Sequence, residues 1–184
     1  MIKPSLHNQT KMFAIKKTYL LLLAVTLMAM ATFNSSCGLY TFADISIPED
    51  VKTVRVNVLE NRAPYVNPQL TPTLTDRVKQ KIVNQTRLTP TNNENAHYDI
   101  SGYISDYSVS TTGVQGNRGV TNRLTVAVHI TLNDQLHNEK KEFDVSRSFE
   151  FDASISLQTA EQRLLEEMVR NLTDDIFNRV FSNW

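Results

Sequence analysis

Residues 124–132 read LTVAVHITL, and this stretch decides the fold class. Every second residue is apolar, beginning with Leu124 and ending with Leu132, which is the period-2 pattern of a half-buried strand. A strand with one apolar face needs paired neighbours and a second layer against that face. The pattern therefore predicts a sheet that is covered on one side.

Strand signals also precede and follow this stretch. Residues 97–109 are rich in Tyr and Ile, and their apolar parity changes around Gly102, which predicts a β-bulge there. Residues 143–151 alternate as well. The connections at 111–121 and 133–140 are predicted to be the tips of an antiparallel meander.

A first strand and a first helix are predicted upstream of the meander. Valine recurs at every second position over residues 54–58, which again indicates a strand. A helix is expected from about Thr71 to near Thr86, with Pro72 at its first helical position. Its apolar stripe recurs every four residues and consists of Leu70, Leu74, Val78 and Ile82.

The last predicted element is a helix from Thr159 to Ser182. Thr159 and Gln162 are spaced as a capping box, which marks a helix start. The expected buried residues are Leu165, Met168, Val169, Leu172, Ile176, Val180 and Phe181.

Taken in order, these elements give β-α-β-β-β-α. Each predicted strand shows one apolar face and each helix one apolar stripe. The predicted fold is therefore α+β, a two-layer sandwich in which a four-stranded, mostly antiparallel sheet carries two helices on one face.

Residues 1–36 differ from the rest of the chain. They contain four lysines and no acidic residue, and residues 18–33 are almost entirely apolar. A basic segment followed by about 16 apolar residues is typical of a secretory signal peptide, and is short for a transmembrane helix, which is the alternative. Met1 and Met12 both remain possible start sites. We predict that residues 1–36 are removed and that residues 37–184 form a single domain.

The only cysteine of the chain, Cys37, follows the apolar segment directly. Residues 34–38 read NSSCG and resemble a lipobox, although Asn34 departs from the leucine usual there. The alternative, a buried structural cysteine, needs a folded domain around it, whereas a signal peptide precedes this one. Cys37 is therefore predicted to carry diacylglycerol and an N-acyl chain, and no other cofactor is expected.

The charge of the predicted mature chain excludes one class of partner. The whole chain has 19 basic and 19 acidic residues, and subtracting the four lysines of the leader leaves 15 basic against 19 acidic. A mildly acidic protein does not attract nucleic acid by its overall field, so an anionic ligand would need a local basic patch. The residues predicted for such contacts, with lipopolysaccharide or a protein partner, are Arg118, Arg123, Lys140 and Lys141.

Motifs for catalysis or metal binding are weak. The glycines at 113, 116 and 119 superficially resemble a phosphate loop, but two predicted strands flank them where a phosphate loop requires a helix. His97, His129 and His137 lack the spacing of metal ligands on one helix face, so no metal is expected. No Gly-x-Ser-x-Gly nucleophile motif occurs, and the chain is predicted not to be an enzyme.

Short motifs along nearly the whole predicted mature chain resemble the LptE family of lipopolysaccharide-assembly lipoproteins. In order they are CGLYTF (37–42), IP (47–48), VKTV (51–54), NRAP (61–64), VNP (66–68), NQT (84–86), NRLT (122–125), DIFN (175–178) and NW (183–184). The specificity lies in their order and spacing together.

The resemblance implies a role in the outer membrane. A member of that family is anchored by its lipid to the inner leaflet and lies inside the LptD β-barrel, where it plugs the barrel, assists its assembly and contacts lipopolysaccharide. The alternative hypotheses are an envelope lipoprotein that carries a small apolar ligand, which needs a closed apolar cavity, and a periplasm-facing hydrolase.

Overall fold

The computed structural model describes residues 47–112 and 121–182, and these ranges contain six strands and two helices. In order they are β1 (Thr53–Val56), β2 (Glu60–Asn61), α1 (Leu70–Gln85), β3 (Thr89–Pro90), β4 (Tyr98–Thr112), β5 (Thr121–Asp134), β6 (Glu139–Asp152) and α2 (Leu157–Phe181). The sheet has the order β3-β1-β4-β5-β6, and β2 also pairs with β4. The predicted α+β class with two helices is confirmed, whereas the predicted count of four strands is wrong.

The strand count differs because β2 and β3 are only two residues long, which is too short for an alternating pattern to appear. Both belong to the parallel part of the sheet: β1 pairs in parallel with β3 and β4, and β2 pairs in parallel with β4. The first strand also ends earlier than predicted, at Val56, and the side chain of Val58 is 67% exposed. The sheet is therefore mixed: three strand pairs are parallel and short, and the two antiparallel pairs are long.

The antiparallel meander β4-β5-β6 forms the larger part of the sheet, and its strands are longer than predicted. Asp134 and Glu139 close the β5–β6 hairpin, in which Asn138 has a φ of 55°, a conformation that asparagine tolerates. The β4–β5 tip, residues 113–120, lies outside the described residues.

The bulge of β4 lies between Ile104 and Asp106, not at Gly102 as predicted. Because of the extra residue, even-numbered side chains face the helices before the bulge and odd-numbered ones, such as Tyr107, face them after it. Gly102 has a different role: a Cβ there would lie 2.4 Å from the backbone oxygen of His129. The residue must be glycine because the neighbouring strand approaches so closely.

Both helices pack on the same face of the sheet. The four predicted stripe residues of α1 are all buried, which confirms that stripe. Helix α2 begins before the predicted Thr159, because its N-cap is Ser156, whose hydroxyl accepts a hydrogen bond from the Thr159 N–H at 3.2 Å. Pro72 is the third residue of α1, where its missing N–H costs nothing.

The core between the layers contains most of the predicted residues. Met168, Leu172 and Ile176 of α2 are fully buried, and each such side chain contributes roughly 1.5–3 kcal/mol through burial. Leu165 and Val180 pack at the margin and are half-buried.

Among the described residues, no helix is both long enough and apolar enough to cross a membrane.

Candidate interaction surface

The sheet face opposite the helices is polar, and we call it the open face. On β5 its positions are the odd-numbered ones, since the even-numbered side chains are buried beneath the helices. Only Ala127 is apolar among the seven residues at these positions. The seven are Thr121, Arg123, Thr125, Ala127, His129, Thr131 and Asn133. A polar face that no element of the described chain covers is suited to contact with water or with a polar partner.

An aromatic and charged cluster lies at the centre of the open face. The ring of Tyr103 lies 5.0 Å from that of His129, and the guanidinium of Arg62 lies 4.0 Å from the centre of the Tyr103 ring. His129 Nδ1 is 2.8 Å from a carboxylate oxygen of Asp144. Arg62, Tyr103 and His129 line a shallow recess of about 660 Å³, which also includes Lys140. His129 therefore lies on the open face of the sheet.

The recess does not fit the alternative of a closed apolar cavity, because its lining is largely polar. In residues 47–112 and 121–182, no group of three or more His, Cys, Asp or Glu side chains is placed to hold a metal ion.

An ion pair joins β1 to β4 on the open face, in the parallel part of the sheet. Arg55 on β1 lies directly opposite Asp99 on β4, and its guanidinium donates two hydrogen bonds to that carboxylate, at 2.8 and 2.9 Å. The amide of Asn57 donates a third, at 2.8 Å. The hydrogen bonds from Arg55 lower the pKa of Asp99, so the carboxylate stays ionised.

The basic residues predicted as contacts do not form one cluster. Arg123 lies near the start of β5, whereas Lys140 pairs with Asn133 near its end. Ten positions separate Arg123 from Asn133, which is about 30 Å along a strand. Lys141 pairs with Leu132 and points to the helix side of the sheet. Arg118 lies outside the described residues.

Each of the three predicted contact residues that the structure describes has a carboxylate beside it. Arg123 contacts Glu150 at 3.2 Å, Lys140 contacts Glu142 at 2.6 Å, and Lys141 contacts Glu139 at 3.3 Å. Such exposed pairs are weak, but they reduce the local positive charge. The described basic residues therefore do not make a strong anion site together. Cys37, the predicted lipid attachment site, lies outside the described residues.

A polar network, buried except at Tyr65, which is 40% exposed, holds the segment between β2 and α1, and sequence analysis missed it. The Tyr107 hydroxyl donates to one oxygen of Glu161 at 2.7 Å, and the Tyr65 hydroxyl donates to the other at 3.2 Å. Asn67 donates to the Tyr107 hydroxyl at 3.3 Å, and its own oxygen accepts from the first turn of α1. Burial and the bond to Glu161 raise the pKa of Tyr107, which remains a donor.

One signal in the sequence pointed to this network. Glu161 lies seven residues before Met168, on the same face of α2, so a carboxylate occurs in the apolar stripe. A carboxylate in that position needs buried hydrogen-bond donors. The donors could not be named from sequence, because Tyr107 faces the helices only after the bulge.

A histidine joins the start of the described chain to the β5–β6 hairpin. His137 Nδ1 lies 2.7 Å from Asp134, and its Nε2 lies 3.0 Å from Asp50. Asp134 is the largest cause of the raised pKa of His137. Tyr98 lies near the same carboxylates. Burial is the largest cause of the raised pKa of Tyr98, which is about 12, and the negative charges of Asp134, Asp50 and Glu139 raise it further.

This histidine gives a predicted pH dependence of stability. The pKa of His137 is higher in the folded protein than the ordinary value of about 6.5, because two carboxylates favour the protonated ring. Its contribution is therefore fully present below about pH 6.5 and is lost as pH rises through the folded-state pKa. We expect the melting temperature of wild type to exceed that of His137→Gln at about pH 5.5, and the gap to narrow by about pH 9. A gap that is the same at both pH values would contradict this assignment.

Comparison with known protein families finds a match over most of the chain. The family model described as LptE: Lipopolysaccharide-assembly matches residues 51–180. No curated protein matches the sequence.

Solved structures resemble the chain at low sequence identity. A PelC dodecamer from Paraburkholderia phytofirmans is 13% identical, with a TM-score of 0.45 over 72% of this chain and 89% of that chain. A minor lipoprotein from Acinetobacter baumannii is 18% identical, with a TM-score of 0.41 over 72% and 90%. Lipoprotein GNA1162 from Neisseria meningitidis is 12% identical, with a TM-score of 0.39 over 67% and 99%. These likenesses are too distant to bear on function.

Proposed function

Because the chain belongs to the LptE family of lipopolysaccharide-assembly proteins, we propose that it is a lipid-anchored outer-membrane subunit of the lipopolysaccharide translocon. In this proposal it faces the periplasm and lies within an LptD-type β-barrel, acting as its plug and assembly partner. Its work is binding, without catalysis.

The polar open face is the observation that carries this proposal beyond family membership. The helices cover one face of the sheet, and the other face is lined by Thr, Ser, His and charged side chains over the full length of β5. The interior of a large outer-membrane barrel is polar, whereas its outer surface is apolar. The open face is therefore suited to the lumen of a barrel and unsuited to contact with lipid.

The lipid on Cys37 would place the domain close to the membrane. Ile47, where the described chain begins, is ten positions after Cys37, and ten residues span at most about 35 Å when fully extended. The contact between Asp50 and His137 then holds the chain against the β5–β6 hairpin.

The basic residues proposed for lipopolysaccharide contact divide into two groups. Arg123 lies close to the β4–β5 tip and Arg118 is part of it, whereas Lys140 and Lys141 lie at the opposite end of β5. One anionic headgroup cannot span the roughly 30 Å between the two groups. We propose Arg118 and Arg123 as one contact, and Lys140 on the open face and Lys141 on the helix side as two separate contacts.

Affinity purification from gently solubilised envelopes tests the proposed function. The tagged full chain is expected to bring down a large outer-membrane barrel in stoichiometric amount, and depletion of the protein is expected to leave lipopolysaccharide short of the cell surface. An unrelated tagged lipoprotein serves as the control. A free monomer, together with normal surface lipopolysaccharide after depletion, would overturn the proposal.

A further inference from the structure

Strand β6 forms a long and regular edge of the sheet. It is the last strand in the order and pairs with β5 through all 14 of its residues without a register shift. Within the described part of the chain, no strand pairs with its other side. An edge of this kind presents a row of backbone donors and acceptors to which another strand can be added.

Contacts elsewhere in the sheet identify which backbone groups point outward. Asn57 N–H donates to Ile100 O and Arg62 N–H donates to Ile104 O, so even-numbered residues of this part of β4 turn their backbone groups toward β1 and β2. The direction of the backbone N–H and C=O groups alternates along a strand. The register of the strand pairs therefore extends this assignment from β4 through β5 to β6. The even-numbered residues of β6, over 140–152, then point their N–H and C=O groups away from β5.

Beta-sheet proteins usually protect a free edge with charged side chains, proline, a bulge or a very short strand. Strand β6, with the sequence EKKEFDVSRSFEFD, is long and has no proline or bulge, so charge is the protection that it carries. The even-numbered residues, whose backbone groups point away from β5, have their side chains on the open face. The charged ones among them are one lysine and four acidic residues, namely Lys140, Glu142, Asp144, Glu150 and Asp152. An added strand of a second copy would bring carboxylates close to carboxylates, which disfavours self-pairing.

We propose that the edge of β6 accepts an extended segment of the barrel partner, which adds as a further strand and carries Lys or Arg on its open-face side. This inference rests on the proposed function. Glu142 pairs with Lys140, and Glu150 pairs with Arg123. The complementary charge follows from the two carboxylates beyond these pairs, Asp144 and Asp152. The wall of a closed barrel has no free strand edge, so the added segment comes from a loop or a terminal region of the partner.

A proline at Ser146 tests the backbone contact directly. Ser146 is exposed near the middle of β6, and its N–H points away from β5, so proline removes an outward donor and leaves the β5 ladder intact. Ser146→Thr keeps the N–H and is the matched control. We expect Ser146→Pro in the full chain to recover at least about tenfold less barrel than wild type, while Ser146→Thr recovers the wild-type amount.

A charge pair at the same position tests the partner's chemistry and does not depend on the proline variant folding. Ser146→Lys is expected to recover about threefold less barrel than Ser146→Glu, because a basic strand repels the lysine. A folded Ser146→Pro that retains the barrel, or equal recovery by the Lys and Glu variants, would overturn the inference and leave the proposed function standing. If the wild-type protein itself recovers no barrel, that result contradicts the proposed function, and the inference that rests on it is overturned as well.

Discussion

Cys37→Ala is expected to move the protein from the membrane fraction to the soluble periplasmic fraction in cells depleted of the barrel partner. The acyl chains contribute about 0.8 kcal/mol per buried CH₂, and even one myristoyl chain corresponds to a partition constant of about 10⁴ M⁻¹. The predicted mature chain carries 15 basic and 19 acidic residues, so its charge does not replace the lipid on an anionic surface. The expected change is therefore a loss of membrane association by several orders of magnitude, measured by fractionation and immunoblotting.

The partner must be depleted because docking into a membrane barrel would retain the protein without its lipid. Ser36→Gly is the matched control, since it keeps a small residue before the cysteine and preserves the lipid attachment. The melting temperature of Cys37→Ala is expected to equal that of the lipid-free wild-type domain. Sedimentation of a Cys37→Ala protein that has lost residues 1–36 with membranes that lack the partner would show that Cys37 is not the anchor.

The long, periodic elements of the fold could be predicted from sequence because each repeats its signal several times. Strand β5 alternates over its whole length, and the stripe of α1 recurs through four turns. Strands β2 and β3 have two residues each, and their pairing is set by tertiary contacts rather than by a local pattern. The start of α2 was misplaced by two residues because Thr159 resembles a cap, although Ser156 performs that role.

The candidate surface was less predictable because it depends on register and on distance between elements. The sequence places Arg123 and Lys140 at neighbouring meander tips, yet the two tips lie at opposite ends of β5. The bulge after Ile104 decides which face Tyr107 occupies, and apolar parity located that bulge only approximately. The free edge of β6 depends on strand order, which local patterns do not determine.

Glu161→Ala is expected to lower the free energy of unfolding by about 3 kcal/mol. Tyr107 is only 4% exposed and Glu161 only 8%, so water does not readily replace the lost carboxylate. Hydrogen bonds to an ionised acceptor contribute about twice as much as neutral ones, and a buried hydroxyl without an acceptor costs roughly 1–3 kcal/mol. Tyr65 loses its acceptor as well, so the segment that joins β2 to α1 should loosen. Urea denaturation of the purified domain measures the change.

Glu167→Ala is the matched control, because Glu167 is exposed on the same helix and its removal is expected to change stability by less than about 0.5 kcal/mol. A double-mutant cycle with Tyr107→Phe then isolates the bond between Glu161 and Tyr107, and we expect a coupling of about 1–2 kcal/mol. Equal stabilities of Glu161→Ala and Glu167→Ala would contradict the prediction. That result would mean that the cost of burying the carboxylate offsets what its two tyrosine donors contribute.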